Sequence, residues 1–90
     1  MDEEKKQEQL EPSFLAIVMM LSGGAANYLV EALDEKKKAE KKKNLEMARY
    51  VIDLLGLLEE KTAGNLDESE KKTLEVVLGE MRMQYIKVSG

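Results

Sequence analysis

The sequence has no cysteine, no histidine and no tryptophan, and it contains a single proline and a single phenylalanine. Without cysteine the chain cannot form a disulfide, and without cysteine or histidine it lacks the usual zinc ligands. Thiol nucleophiles and imidazole acid–base catalysts are excluded for the same reason. A glycine-rich phosphate loop is also missing. We therefore expect no catalytic residue, no metal site and no cofactor, and we do not expect an enzyme.

The chain has 90 residues, which is enough for one domain. A chain of this size buries only about 60–65% of its unfolded surface, so its stability depends on regular helix packing or on oligomerisation. The net charge of −4 argues against nucleic acid as the main partner. The charged residues are mostly lysine and glutamate, as in thermophiles. No secretory signal is recognisable, so we expect a cytoplasmic protein.

The first segment, residues 1–12, is polar, and residues 1–11 hold five acidic side chains and two lysines. Its apolar content is too low for it to bury itself. We expect this segment to be disordered or to form a frayed helical extension. The rest of the chain, residues 13–88, is predicted to form a single helical domain.

A first helix is predicted over residues 14–34, with Ser13 as its N-cap. At about 100° per residue, one broad face collects most of the apolar side chains. They are Phe14, Ile17, Val18, Leu21, Ala25, Tyr28, Leu29 and Leu33. The opposite side carries no charge before Glu31. Gly23 and Gly24 cost roughly 1 kcal/mol each against alanine. They indicate either close approach of another backbone or a local kink, and the sequence leaves both open.

A lysine-rich run follows, with six lysines and three acidic residues in residues 34–43. Nothing in it breaks a helix, so the first helix extends through it as a solvated arm, or the run is a connector. The segment from Lys36 to Lys43 could contact phosphates, an acidic protein or an anionic lipid. It lacks the aromatic residues that stack on bases, and we interpret it as a solvent-exposed charged segment.

Two further helices are predicted over residues 45–62 and 68–87. Asn44 is the predicted N-cap of the second helix and Gly64 the glycine that ends it. Apolar residues cover roughly two thirds of that helix, where an ordinary surface helix has a stripe little wider than about 100°. We therefore expect neighbours on most of its sides. The third helix opens with Asp67 and Glu70 at capping-box spacing.

The third helix has two apolar stripes on nearly opposite faces. The main stripe comprises Leu74, Val77, Leu78, Met81 and Tyr85, and the second stripe comprises Val76, Gly79, Met83 and Ile86. One stripe can pack on the second helix, and the other needs a different partner. The predicted fold class is all-α, a three-helix arrangement in which helices 2 and 3 form an antiparallel hairpin and the apolar helix 1 packs against it.

The apolar surface of three such helices exceeds what one protomer can cover, so we expect oligomerisation to complete the fold. A symmetric homodimer is the simplest assembly, while a higher oligomer or an unidentified protein partner remains open. The predicted interface residues lie on faces not needed for the core. They are Ala16, Met20, Gly23, Gly24, Asn27, Leu54, Leu57, Leu58, Val76, Gly79, Met83 and Ile86.

Arg49 and Asp53 lie four residues apart on the narrow polar strip of the second helix. The simplest interpretation is an ion pair within the helix. The alternative is a polar latch, in which a neighbouring helix buries both side chains and fixes the register.

The segment from Phe14 to Val30 is uncharged. It is shorter than the roughly 20 apolar residues that span a bilayer, and Ser22, Gly23, Gly24 and Asn27 dilute it. The lysines that follow would nevertheless suit a cytoplasmic flank. We interpret the segment as a buried or interface helix, with membrane association as the lesser alternative.

Several short segments of the second and third helices and the turn between them form a recognisable set. They are residues 45–49 (Leu-Glu-Met-Ala-Arg), 52–55 (Ile-Asp-Leu-Leu) and 58–66 (Leu-Glu-Glu-Lys-Thr-Ala-Gly-Asn-Leu), followed by Met81-Arg82 and Tyr85. With the apolar helix before them, they resemble a bacterial family of small helical proteins, domain of unknown function family 1844. The resemblance covers residues 13–86 and implies an all-α fold with no assigned activity. Asp67 stands where the family often has threonine, and the lysine run replaces a shorter loop.

These observations favour a self-associating structural or interaction module. A membrane- or nucleic-acid-associated binding module, which would use the first helix or the run from Lys36 to Lys43, is the alternative.

Overall fold

The computed structural model describes residues 12–90. The prediction for the polar segment therefore falls outside the described residues, apart from Pro12. The chain forms three α-helices, α1 (Phe14–Leu33), α2 (Lys41–Lys61) and α3 (Glu68–Ser89), and a short 3-10 helix, η1 (Glu35–Glu40), joins α1 to α2. Residues 12–90 include no strand. The all-α, three-helix prediction is confirmed.

Two helices begin with the side-chain caps that the sequence predicts. The Ala16 N–H donates to Ser13 Oγ at 3.0 Å, which satisfies one of the free amides at the start of α1. At α3 the Glu70 N–H donates to Asp67 Oδ1 at 2.7 Å, and the Asp67 N–H donates to Glu70 Oε1 at 3.0 Å. The reciprocal pair is a capping box, and both predictions are confirmed.

The first part of the lysine-rich run, residues 34–40, is a connector, its last three lysines begin α2, and α1 does not extend through it. Asp34 has an extended backbone (φ −72°, ψ 112°), and its Oδ1 accepts a hydrogen bond from the Lys36 N–H at 2.9 Å, which starts η1. The Lys41 N–H then donates to the Lys38 carbonyl. Because η1 leads directly into α2, the prediction that Asn44 caps this helix is wrong. The helix begins four residues earlier, at Lys41, without a side-chain cap.

The turn between α2 and α3 uses its glycine slightly later than predicted. The helix ends at Lys61, and Thr62 is its cap, with Oγ1 donating to the Leu58 carbonyl at 2.7 Å. Gly64 follows with a φ of +85°, the left-handed conformation that glycine adopts without a steric penalty. It reverses the chain two residues after the cap rather than one.

The helices α2 and α3 run antiparallel. Arg49 and Asp53, in the first half of α2, line a groove with Arg82 and Tyr85, near the end of α3. At the other end of the hairpin, Glu59 lines a cavity with Leu74. The helix α1 lies across both, and it contacts each of them. The predicted hairpin with α1 packed against it is confirmed.

The core lies where the three helices meet. Its buried hydrophobic residues are Val18, Ala25, Leu29 and Ala32 of α1, Ala48, Ile52 and Leu55 of α2, and Leu74, Leu78 and Met81 of α3. The main stripe predicted for α3 packs inward, since Val77 and Tyr85 are also half-buried against this core. Each fully buried leucine contributes about 1.5–3 kcal/mol of transfer free energy.

The buried face of α1 differs from the predicted one. Ile17 and Leu33 are exposed, at 51% and 62% of their surface, whereas Ser22 and Ala32 are buried. The Ser22 hydroxyl is satisfied by donating to the Met19 carbonyl at 3.1 Å. Small residues on the inner face allow the axis of α1 to lie close to its neighbours, because interaxial distance follows side-chain size at the contact.

The molecule is thin, with principal extents of 43 × 37 × 16 Å. Two layers of helices at an axial spacing of about 8–10 Å, each with a Cα radius of about 2.3 Å, account for the shortest dimension. Among the described residues no third layer covers the outer side of α1, and five of the ten exposed large hydrophobic side chains belong to this helix.

Candidate interaction surface

Among the described residues, as many large hydrophobic side chains are exposed as there are hydrophobic residues in the core, ten in each group. The exposed set is Ile17, Met19, Met20, Val30, Leu33, Tyr50, Leu57, Val76, Met83 and Ile86. Five of these belong to α1. Single exposed apolar residues are normal on protein surfaces, but contiguous ones mark interaction sites.

The buried residues of α1 follow a heptad-like pattern, and so does its outer face. Val18, Ser22, Ala25, Leu29 and Ala32 point inward. Two positions before each of them lie the residues that we call the outer seam: Ala16, Met20, Gly23, Asn27 and Val30. A shift of two residues rotates by about 200° around a helix, so the seam lies on the opposite face. It recurs at alternating spacings of four and three residues, the spacing of helix-pairing surfaces.

The outer seam is exposed and carries no charge. Met20 exposes 80% of its surface and Val30 65%, and Ala16, Gly23 and Asn27 are also exposed. The first charged residue of α1 is Glu31, near the end of the helix. On an ordinary surface helix the outward side is charged or polar. Among the described residues no helix buries the outer seam, and its apolar side chains are open to solvent.

A narrower apolar strip lies on the outward side of α3. Val76, Met83 and Ile86 are exposed at 50%, 59% and 68%, with Gly79 between them. This strip is the second stripe that the sequence predicts, and no described element covers it. It differs from the outer seam because charged residues, including Glu80 and Arg82, alternate with it along the helix.

Most of the predicted interface residues are accessible in the protomer. The exposed ones are Ala16, Met20, Gly23, Asn27, Leu57, Val76, Gly79, Met83 and Ile86, and the half-buried ones are Gly24, Leu54 and Leu58. Leu58 packs against the core. Their role in an interface stays a prediction, because an interface requires a contact with another molecule. Within the protomer, neighbours do not cover α2 at Tyr50 and Leu57, which remain exposed.

The glycine pair of α1 serves no close contact within the protomer. A Cβ built on Gly23 or Gly24 would meet no neighbouring atom within 4 Å. The helix is continuous through both residues from Phe14 to Leu33. Within the protomer the small residues that approach neighbours are Ser22 and Ala25, which are buried, whereas Gly23 is exposed. The expected close approach of another backbone to Gly23 and Gly24 stays a prediction, because it requires a contact outside the protomer.

Arg49 and Asp53 face a groove between α2 and α3 that the sequence did not reveal as a whole. Arg82 and Tyr85 line its opposite wall, and its volume is about 230 Å³. Arg82 Nη2 lies 3.3 Å from where a Cβ on Gly56 would stand, so this glycine makes room for the guanidinium. The chain's two arginines thus share one groove, a convergence that only the antiparallel register of the hairpin produces.

The ion pair expected between Arg49 and Asp53 is not formed. Both side chains are exposed, and within residues 12–90 the ion pair present joins Lys37 to Glu31. In water a pair four residues apart on a helix gains only about 0.3–0.5 kcal/mol, which the side-chain entropy readily offsets. Neither side chain is buried in the protomer as a polar latch requires.

Residues 35–40 of the connector are exposed, and Lys37 folds back along α1. Its Nζ donates to Glu31 Oε2, and this hydrogen bond, together with the charge of Glu31, raises the pKa of Lys37 above its ordinary value of 10.5. The lysines of the connector therefore form a positively charged end to the molecule next to the C-terminus of α1.

A cavity of about 280 Å³ lies under the turn between α2 and α3, lined by Thr62, Gly64 and Leu66 among others. The part of the chain that the structure describes contains no group of three or more residues that could hold a metal ion. The helix α1 is long and apolar enough to cross a membrane by length and composition alone, with a mean hydropathy of 1.5.

A family model described as "Domain of unknown function (DUF1844)" matches residues 11–87. No curated protein and no solved structure matches the chain at a significant level. The matched range includes α1, α2, the turn that follows Lys61, both arginines of the groove, and α3 as far as Lys87. Because the match covers nearly the whole chain, the resemblance drawn from the sequence is confirmed, and the protein belongs to the family described as domain of unknown function DUF1844.

Proposed function

We propose that this protein is a self-associating structural or interaction module whose working unit is an assembly. The observation that supports this proposal most directly is the equal number of hydrophobic residues buried in the core and large hydrophobic side chains exposed. Burial stabilises by about 25 cal/mol for each Å² of apolar surface removed from water. A chain of 90 residues with no disulfide has much to gain from covering this surface.

The distribution of the exposed residues also supports an assembly. Half of them belong to α1, and two of these, Met20 and Val30, lie on the outer seam, which carries no charge. A homodimer with two-fold symmetry would cover the same patch on both copies with one contact. The proposal assigns no catalytic role, since the chain lacks histidine and cysteine; a reproducible turnover that Asp53→Asn abolishes would overturn this part.

Sedimentation equilibrium between about 1 and 100 μM tests the proposal. We expect a dimer or a higher oligomer at the upper end of this range, with helical circular dichroism throughout. A fully helical monomer at every concentration would contradict self-association. The matched variant is Met20→Lys, which places a charge on the most exposed apolar side chain without touching the core; it should shift the equilibrium toward monomer while leaving the helical signal unchanged.

A second candidate function is association with an anionic membrane. It is favoured by the length and hydropathy of α1 and by the exposed lysines that follow it. Against it stands the inner face of α1, which supplies four of the ten hydrophobic core residues and would leave the core if the helix inserted. Flotation with vesicles containing an anionic phospholipid, at low and high salt, separates this function from self-association. A salt-dependent mobility shift with RNA or DNA tests nucleic acid in the same way.

A further inference from the structure

We propose that the occupant of the outer seam is the same seam of a second copy, packed antiparallel around a two-fold axis beside Gly23. This inference rests on the proposed self-association and adds the surface, the orientation and the register. It is drawn from the shape of the seam and from the charges at its two ends.

The seam is nearly symmetric about Gly23. Ala16 lies seven residues before Gly23 and Val30 seven residues after it, and Met20 and Asn27 lie three before and four after. In an antiparallel pair centred on Gly23, the small Ala16 of one copy therefore stands level with the larger Val30 of the other. Met20 and Asn27 stand nearly level in the same way. Each protruding side chain meets a smaller or more polar one.

Gly23 provides the close approach that such a pair needs at its centre. A Cβ there would meet nothing in the protomer, so its absence serves no contact that the protomer itself makes. With glycine at the axis, the two helix backbones can come nearer than bulky side chains would allow. A glycine in the middle of an exposed helix otherwise only destabilises the helix.

The charges at the ends of α1 select the antiparallel orientation. In the sequence, α1 is preceded by residues 1–11, which hold five acidic side chains and two lysines, and followed by the connector and the first turn of α2, where residues 36–43 hold six lysines and one glutamate. An antiparallel pair brings each acidic segment to the end of its partner's α1 where the lysines lie. A parallel pair would place like charges together at both ends, which is unfavourable.

The same charge pattern distinguishes a second copy from the other occupants of this face. An anionic bilayer would attract the connector but repel the acidic segment at the other end of the same helix. The apolar strip of α3 is a weaker competitor, because Glu80 and Arg82 interrupt it. The outer seam has no such interruption before Glu31.

Single cysteines test the register without interference, because the chain has none of its own. In the antiparallel pair, the two copies of residue 16 lie about 21 Å apart along the axis, at about 1.5 Å per residue, and so do the two copies of residue 30. A disulfide requires Cα atoms within about 7 Å. Ala16→Cys alone and Val30→Cys alone should therefore remain uncrosslinked under mild oxidation. An equal mixture of the two variants should give a crosslinked dimer on a non-reducing gel.

The control pair is Val76→Cys mixed with Met83→Cys, on the exposed strip of α3, which should give no dimer. Efficient crosslinking of Ala16→Cys alone would overturn the antiparallel orientation. Crosslinking only through the α3 pair would overturn the choice of face. Flotation of the chain on anionic vesicles, together with no crosslinking of the Ala16→Cys and Val30→Cys mixture in solution, would identify a membrane as the occupant and refute the inference.

Sedimentation of the same variants under reducing conditions separates the two proposals. If the variants sediment as oligomers but the seam mixture does not crosslink, this inference fails and self-association stands. If they sediment as helical monomers at 100 μM, on the order of the concentrations that weak specific contacts require, both fail.

Discussion

Replacing glycines by alanine gives the sharpest test of how the helices are used. Gly23 in α1 and Gly79 in α3 both lie inside helices, and a Cβ at either position would meet no atom within 4 Å. In the protomer, Gly79→Ala and Gly23→Ala should each raise the free energy of unfolding by about 1 kcal/mol, because alanine loses less backbone entropy in a helix. For a chain of this length that corresponds to a rise in Tm of about 4–8 °C.

The two variants should differ in their association. Gly79→Ala should leave the dimer dissociation constant unchanged, because that residue lies outside the proposed seam. Gly23→Ala should weaken the dimer, because the added methyl group stands where the two backbones approach. Two further glycines calibrate the scale. Gly64→Ala should lower stability by about 1–2 kcal/mol, since φ is +85° there. Gly56→Ala should raise the free energy of unfolding by less than Gly79→Ala does, because the added Cβ would press on Arg82 Nη2.

Urea unfolding and thermal denaturation, both followed by circular dichroism at low protein concentration, measure the stability of the protomer. Sedimentation measures association. The reasoning about the protomer would be refuted if Gly79→Ala lowered stability. The reasoning about the seam would be refuted if Gly23→Ala and Gly79→Ala had the same effect on association.

Three further predictions follow from the core, the cap and the connector. Leu55→Ala should lower the free energy of unfolding, measured in urea, by about 3–5 kcal/mol because Leu55 is completely buried. Leu57→Ala, at a half-exposed site, should lower it by less than half as much, and equal losses would contradict the packing. Asp67→Ala should lower the free energy of unfolding by about 1 kcal/mol, whereas the control Asp67→Ser, which keeps a capping oxygen, should leave it nearly unchanged. Equal stabilities of the two variants would argue against the capping box. In an NMR titration, the pKa of Lys37 should lie above its ordinary value of 10.5, and Glu31→Gln should lower it. Because the folded pKa is raised, the stabilisation from this pair is present below pH 10.5 and is lost as the pH rises through the folded value; a Lys37 pKa that Glu31→Gln leaves unchanged would refute it.

Local signals in the sequence correctly predicted where α1 and α3 begin. Ser13 and the pair Asp67 and Glu70 cap their helices as expected, because a capping side chain acts on amides within three residues of itself. The start of α2 was missed for a related reason. Asn44 is a good cap in isolation, but η1 supplies hydrogen-bonded turns ahead of it, and a helix that grows from an existing turn needs no cap.

The inner face of α1 was only partly predictable. Hydropathy ranked Ile17 and Leu33 above Ser22, yet Ser22 is buried and the two larger residues are exposed. Which side of a nearly uniform apolar helix turns inward depends on the shape of its neighbours, and small side chains fit where two helices are close. Hydropathy does not carry that information when both sides of a helix are apolar.

By itself, the sequence determined the helix content, the side-chain caps of α1 and α3, the connection order and the excess of apolar surface, because each of these depends on composition or on residues a few positions apart. The tertiary structure alone decided which apolar face of α1 entered the core, and hence that Met20, Gly23 and Val30 were left outside. It also decided that both arginines meet in one groove, since their proximity depends on the register between α2 and α3. The physical reason is that packing depends on how well the side chains of different helices fit together, whereas the sequence gives only the order of residues along each helix.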